Sequence, residues 1–190
     1  MAEGVEIKKV IRLVDRKFET ILLIRNRDLD ELKTPDFDRK FNSEESDSFI
    51  EEIQDILMES YRPNSDNVNT RLCNDLNLSY TATDGVFDSD FSILVKAELR
   101  KGGDRVERIV GQLSVNKESE IVWEVNVLCG YPGIKGVGSY LIDTLETMCR
   151  LNGIEKLILE SVIPAREFYE KMGFTATYEW EDGVNMEKMV

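Results

Sequence analysis

The sequence predicts one α+β domain, residues 1–190, built on a mixed, mostly antiparallel sheet flanked by helices. Three observations carry that reading. After Asp90, three period-two runs succeed one another, separated by turn residues, and read as consecutive antiparallel strands. A helical run, a short strand, a second helical run and two further strands then complete the chain. No internal repeat or linker divides the 190 residues, and a chain of that length can bury a proper core.

The elements are uneven in clarity. Val5 to Val14 reads as a strand, because Val5, Ile7, Ile11 and Leu13 share one face at period two. Phe18 through Leu29 fits a helix as well as a strand. Asn42 followed three residues later by Glu45 resembles a capping box, and Phe49, Ile50, Ile53, Ile56 and Leu57 recur at helical spacing until Pro63. Asn64 to Asp90 is polar and reads as a long loop with a short helix near Arg71 to Leu78. Phe91 to Arg100 and Glu107 to Val115 form a hairpin about Gly102-Gly103, and Glu120 to Cys129 is the next strand. Gly136 to Leu151 is a helix with Val137, Leu141, Leu145 and Met148 on its apolar face, and Gly153 suits a left-handed cap after it. Lys156 to Glu160 is a short strand, Pro164 to Met172 a short helix ending at Gly173. Phe174 to Trp180 and Asn185 to Val190 are the last two strands.

Composition excludes several chemistries. Asp and Glu number 37 against 24 Lys and Arg, a formal net charge of -13, and there is no histidine. Imidazole bases, Ser-His-Asp and Cys-His arrangements and histidine-ligated metals are therefore ruled out, and no metal site is expected. So acidic a chain repels phosphate backbones, which argues against a nucleic-acid partner. Three cysteines, Cys73, Cys129 and Cys149, lack paired spacing, so neither a disulfide framework nor a four-ligand zinc site is expected. The charged N-terminus does not read as a secretory signal, and no apolar run approaches the roughly 20 residues of a membrane span. A cytoplasmic protein of a reducing compartment, with no membrane partner, is the resulting expectation; monomer and homodimer both remain open.

The chemical signal is the turn Cys129-Gly130-Tyr131-Pro132-Gly133-Ile134-Lys135-Gly136-Val137-Gly138-Ser139. Glycines between a strand and a helix let backbone N–H groups converge, and the helix dipole adds positive potential there. The turn suits a phosphate or pyrophosphate, with Lys135 as a point charge, though glycines also make plain tight turns. A P-loop does not fit, since no glycine here precedes a lysine and then Ser or Thr. The dinucleotide fingerprint fails as well, because Gly136-x-Gly138 runs on to Leu141.

Together with the strand and helix downstream of it, the turn resembles the GNAT-type N-acetyltransferases. That family carries [Gln/Arg]-x-x-Gly-x-[Gly/Ala], then a strand, then A-x-x-F-Y-x-x-x-G-F. Here stand Gly133-Ile134-Lys135-Gly136-Val137-Gly138, the strand Leu157–Glu160, and a segment matching at Ala165, Phe168, Tyr169, Gly173 and Phe174. The resemblance spans roughly Phe91 to Val190. Gly133 stands where the family has Gln or Arg, and Val162 where Asn is frequent.

The resemblance implies a GNAT-like fold with a V-shaped splay between the fourth and fifth strands, those ending near Cys129 and Glu160. It implies acetyl-CoA as cosubstrate, with pyrophosphate on the backbone of Ile134, Lys135, Gly136, Val137, Gly138 and Ser139. Pantetheine would pair with backbone near Val127, Leu128 and Cys129, beside Ala165 and Phe168, and the N–H of Leu128 or Cys129 would polarise the thioester carbonyl. Tyr169 would return a proton to the CoA thiolate. Without histidine the base is a carboxylate or a water chain, and Glu124 and Glu160 lie where family members place one; either also reads as a surface salt-bridge partner. Cys129 reads as packing rather than as an acyl carrier. Trp123 and Trp180 read as core or rim packing. Residues 1–90 would shape the acceptor side, where Asp28 to Ser60 holds 12 acidic and 3 basic residues, a balance of -9. That charge steers a cationic small-molecule or peptide amine inward, or simply keeps the surface solvated. An inactive CoA-binding sensor and an acidic interaction protein are the alternative readings.

Overall fold

The computed structural model describes residues 9–14, 19–25, 29, 32–35, 38–39, 88–101, 104–131 and 134–190. Among them nine strands form one sheet: β1 (Lys9–Val14), β2 (Glu19–Ile24), β3 (Asp38–Arg39), β4 (Phe91–Lys101), β5 (Asp104–Lys117), β6 (Val122–Gly130), β7 (Lys156–Val162), β8 (Thr175–Glu179) and β9 (Gly183–Met189). Their order across the sheet is β3-β1-β2-β4-β5-β6-β7-β9-β8. The β6–β7 pair is parallel and the others are antiparallel, in keeping with the expected mixed α+β sheet. The two described α-helices are α1 (Val137–Asn152) and α2 (Arg166–Lys171), the latter preceded by a 3₁₀ turn over Ile163–Ala165.

The ambiguous run after Phe18 contains a strand. Ile21, Leu22, Leu23 and Ile24 are all buried, and β2 is paired on both edges, with β1 and β4. A central strand covered on both faces loses its alternation, so periodicity could not separate it from a buried helix. The expected helix before Pro63, the loop and short helix of 64–90 up to residue 87, and the Gly102-Gly103 turn lie outside the described residues. So does most of the acidic window.

The core is the α1-facing side of the sheet. Val137, Leu141, Ile142, Leu145 and Met148 of α1 cluster with Val95, Val110, Leu113, Trp123, Val125, Leu157 and Leu159. Each fully buried side chain of this kind contributes about 1.5–3 kcal/mol. Phe91 meets Trp123 edge-on at 5.1 Å between ring centroids. Gly111 sits beneath α1, where an added Cβ would lie only 2.2 Å from Val137 Cγ1. The helix thereby approaches β5 more closely than any side chain at position 111 would permit. At the other end Gly153 caps α1 in the left-handed conformation, φ 70°, as its place after Asn152 predicts. Asn152 also ties residues 32–35 to this end, donating to the Lys33 carbonyl at 2.8 Å and accepting from the Lys33 N–H at 2.9 Å. Among the described residues no helix is long and apolar enough to cross a membrane.

One discontinuity in the sheet positions the site. The parallel β6–β7 pairing runs from Val122↔Lys156 to Val125↔Leu159 and stops. β6 continues to Gly130 and β7 to Val162, each paired with its outer neighbour, β5 and β9. The strands thus part after Val125 and Leu159, which puts the expected V-shaped splay between the strands named for it.

Candidate active site

At the open end of the splay the chain leaves β6 at Gly130 and turns into α1. Tyr131 anchors the turn by donating its N–H to the Val110 carbonyl at 2.8 Å. Gly136 adopts φ 87°, and α1 begins at Val137 with no side-chain cap and no acidic residue in its first turn. Helix-start N–H groups with neither a side-chain acceptor nor a nearby carboxylate favour an anion. Lys135 is exposed beside them. The donor set fits a pyrophosphate, with one correction. Ile134 donates its N–H to the Tyr131 carbonyl at 3.2 Å, so that amide serves the turn itself. The side chain of Val137 points down onto Gly111, which leaves its backbone as the available part.

α2 is brought against this turn. Phe168 packs on Gly138, and Ala165, at the end of the 3₁₀ turn, packs on the core with it. Tyr169 is 8% exposed, edge-on to Phe168 at 5.2 Å and to Phe174 at 5.7 Å. Its hydroxyl has no hydrogen-bond partner among the described residues, nor is it a fully enclosed orphan. Burial pushes the phenol up to about 12. A phenol so placed holds its proton at neutral pH, the protonation state that a proton donor to a departing thiolate needs.

Val127, Leu128 and Cys129 lie on the length of β6 beyond the last β7 pair. Cys129 corrects another expectation, because it is disulfide-bonded. A sulfur so engaged is not a nucleophile. Cys149 is free and buried, its thiol pushed up to about 12 by burial, and it packs the core under α1.

The opposite, open face of the sheet holds a cavity of about 330 Å³ lined by Glu124, Ile158, Glu160, Thr177, Asn185 and Glu187 among others. Strand register explains the gathering. Glu124 pairs with Ile158 and Ile158 with Glu187, one row across three strands; Glu160 pairs with Asn185 in the next row. The two carboxylates singled out from sequence therefore share one cavity. The carboxyl of Glu124 is raised above its ordinary range, first by burial, then by the charge and hydrogen bond of Glu118, then by the charge of Glu160. Glu187 is partly answered by Lys156 at 3.4 Å. Sequence reasoning missed Glu118, Asn185 and Glu187. Alternation in the last strand places Asn185 and Glu187 on one face, but only the β7–β9 register shows that Glu160 shares it.

A family model for the acetyltransferase (GNAT) domain matches residues 104–190. A search of curated proteins returned no match. Solved structures that resemble the chain include Ard1 from Thermoplasma volcanium, at 18% identity over 72% of this chain and 92% of that one, with a TM-score of 0.47. PaiA N-acetyltransferase from Thermoplasma acidophilum in complex with coenzyme A is 18% identical over 60% of this chain and 69% of that one, TM-score 0.43. A GNAT family acetyltransferase from Elizabethkingia anophelis with acetyl-CoA bound is 14% identical over 57% and 81%, TM-score 0.43. The matched stretch begins at the first residue of β5 and takes in the splay, the glycine turn and the Ala165–Phe174 segment.

Proposed function

We propose that the protein transfers an acetyl group from acetyl-CoA to a cationic primary amine by direct attack on the thioester. The carrying observation is the splay after Val125 and Leu159, with an uncapped helix start on one side and a carboxylate cavity on the other. The backbone of Lys135 to Ser139 holds the pyrophosphate, and the open edge of β6 from Val127 to Cys129 pairs with pantetheine. Glu124, its carboxyl raised by burial and by the neighbouring Glu118 and Glu160, takes a proton from the incoming ammonium directly or through water. The amine nitrogen then bonds to the acyl carbon, the carbon–sulfur bond breaks, and Tyr169 gives its proton to the departing sulfur. Glu160 adds negative charge that draws the cation to the splay.

Two measurements test this. Acetyl-CoA raises the melting temperature by mass action, and no shift at millimolar ligand sinks the reading. Thiol release is then measured with a diamine, an aminoglycoside and a lysine-rich peptide. Release with none of them, despite acetyl-CoA binding, favours a CoA-binding sensor over an enzyme.

A further inference from the structure

The open face bears a third row beyond the carboxylates. Val162 of β7 pairs with Gly183 of β9, and the Trp180 ring lies directly on Gly183, where a Cβ would come within 2.3 Å of the indole. Trp180 is pinned there by backbone hydrogen bonds in both directions with Gly183. Tyr178 pairs with Asn185 and so shares the face of Glu160 and Asn185. The bulge at Thr177 carries it to that side, while Glu179 turns to the other face and binds Arg166 of α2 at 2.7 Å. Tyr178 and Trp180 stack, with centroids 6.0 Å apart and planes 23° from parallel. Tyr178 is 66% exposed, and its hydroxyl makes no hydrogen bond among the described residues. An aromatic face is thus left open to water along the edge of an acidic cavity.

Carboxylates and an aromatic face together recognise an organic cation, since the ring quadrupole attracts an ammonium and the ring surface covers its methylenes. The position decides which cation. From β7, which borders the splay, to β8, which carries Tyr178, there are two strand spacings, about 10 Å. A nitrogen attacking a thioester in the splay cannot also touch these rings.

We propose that Tyr178 and Trp180 determine acceptor specificity by holding a second, distal ammonium, so that the acceptor is an elongated di- or polyamine reacting at its other end. The inference rests on the acetyl-transfer reading and names the acceptor class for the same site. Ile158 floors the path between the carboxylates, and Thr177 and Asn185 line it.

The test uses the full chain and three acceptors: a linear diamine with ammoniums about 10 Å apart when extended, a short diamine, and a monoamine of the long diamine's length. The long diamine is expected to exceed both others in kcat/KM by about tenfold. Tyr178→Leu raises KM for the long diamine about fivefold, with kcat, KM for acetyl-CoA and the monoamine reaction unchanged, whereas Tyr178→Phe behaves as wild type. Equal use of monoamine and long diamine, or an unchanged KM in Tyr178→Leu, overturns the proposal. A second readout needs no turnover. With Trp123 buried, Trp180 emission should respond saturably to the long diamine without acetyl-CoA, and not in Tyr178→Leu. That response without thiol release supports the aromatic site while rejecting acetyl transfer; no response in wild type rejects the aromatic site itself.

Discussion

The ring of Phe168 lies against the bare Cα of Gly138, so close that a methyl group there would stand 3.1 Å from the ring's Cζ. Through this contact the short α2 helix is seated on the first turn of α1. Gly138→Ala is expected to displace the ring at a cost of about 1–3 kcal/mol, the range for overpacking, shared between stability and acetyl-CoA affinity. Gly111→Ala should cost more stability, because its methyl would meet Val137 at 2.2 Å beneath the helix. Urea unfolding and KM for acetyl-CoA check both. A Gly138→Ala protein unchanged in both measurements would show that the ring is not held there.

Tyr169→Phe should lower kcat by about 10²-fold while leaving KM for the amine near wild type. The pH dependence has a definite sign. The folded phenol is pushed up to about 12 from an ordinary value of 10.0, so its contribution to stability is complete below pH 10 and is lost as pH rises through 12. Tyr169→Phe should therefore flatten the alkaline loss of stability in that interval, read by urea unfolding at stepped pH. An unaltered kcat would remove Tyr169 from the chemistry.

Glu118 offers a separate handle on the base. Its charge and hydrogen bond raise the carboxyl of Glu124, after burial, so Glu118→Gln should lower that pKa and move the acid limb of the kcat/KM profile to lower pH. Glu160→Gln should act in the same direction through charge alone. If the limb stays in place in both variants, the base is not Glu124.

Lys188 joins three elements. Its ammonium pairs with Glu146 of α1, donates to the Met172 carbonyl at the end of α2 at 2.6 Å, and lies 5.9 Å from the Phe174 ring centroid. Lys188→Met leaves the largely buried Glu146 carboxylate with only Arg150 at 3.7 Å, and should cost about 2 kcal/mol, less than breaking a fully buried pair. Adding Glu146→Gln should restore part of that loss in urea unfolding, and strict additivity would mean that the pair is uncoupled.

Much of the fold was legible where local signals and topology agree. The run from Phe91 onward alternates or repeats at helical spacing, and each strand and helix read there lies within two or three residues of an observed element. Gly153, read as a left-handed cap, is one. Glu124 and Glu160 were singled out from a resemblance, and strand register accounts for their meeting. What stayed hidden depended on distant pairing. β2 is paired on both edges by β1 and β4 and its Ile21 to Ile24 are all buried, and nothing within Phe18–Leu29 reports those neighbours. Gly111 lies mid-strand as an ordinary small residue until α1 is laid across it. Trp180 read as packing, which is part of its environment: the ring rests on Gly183 and also stacks with Tyr178.

The place where β6 and β7 part also governs how the sheet holds together. The arm β3–β6 and the arm β7–β9 share four residue pairs, Val122↔Lys156 to Val125↔Leu159, and beyond them the ladder between the arms is interrupted. A pantetheine chain hydrogen-bonded in that gap would act as a surrogate strand, carrying the interrupted ladder onward from one arm toward the other. Cosubstrate binding would then be a mechanical event as well as a chemical one, bracing the two arms against relative twisting. Amide hydrogens of β6 that face the gap between Asn126 and Gly130 would exchange quickly in the free protein and slowly once the suture is in place.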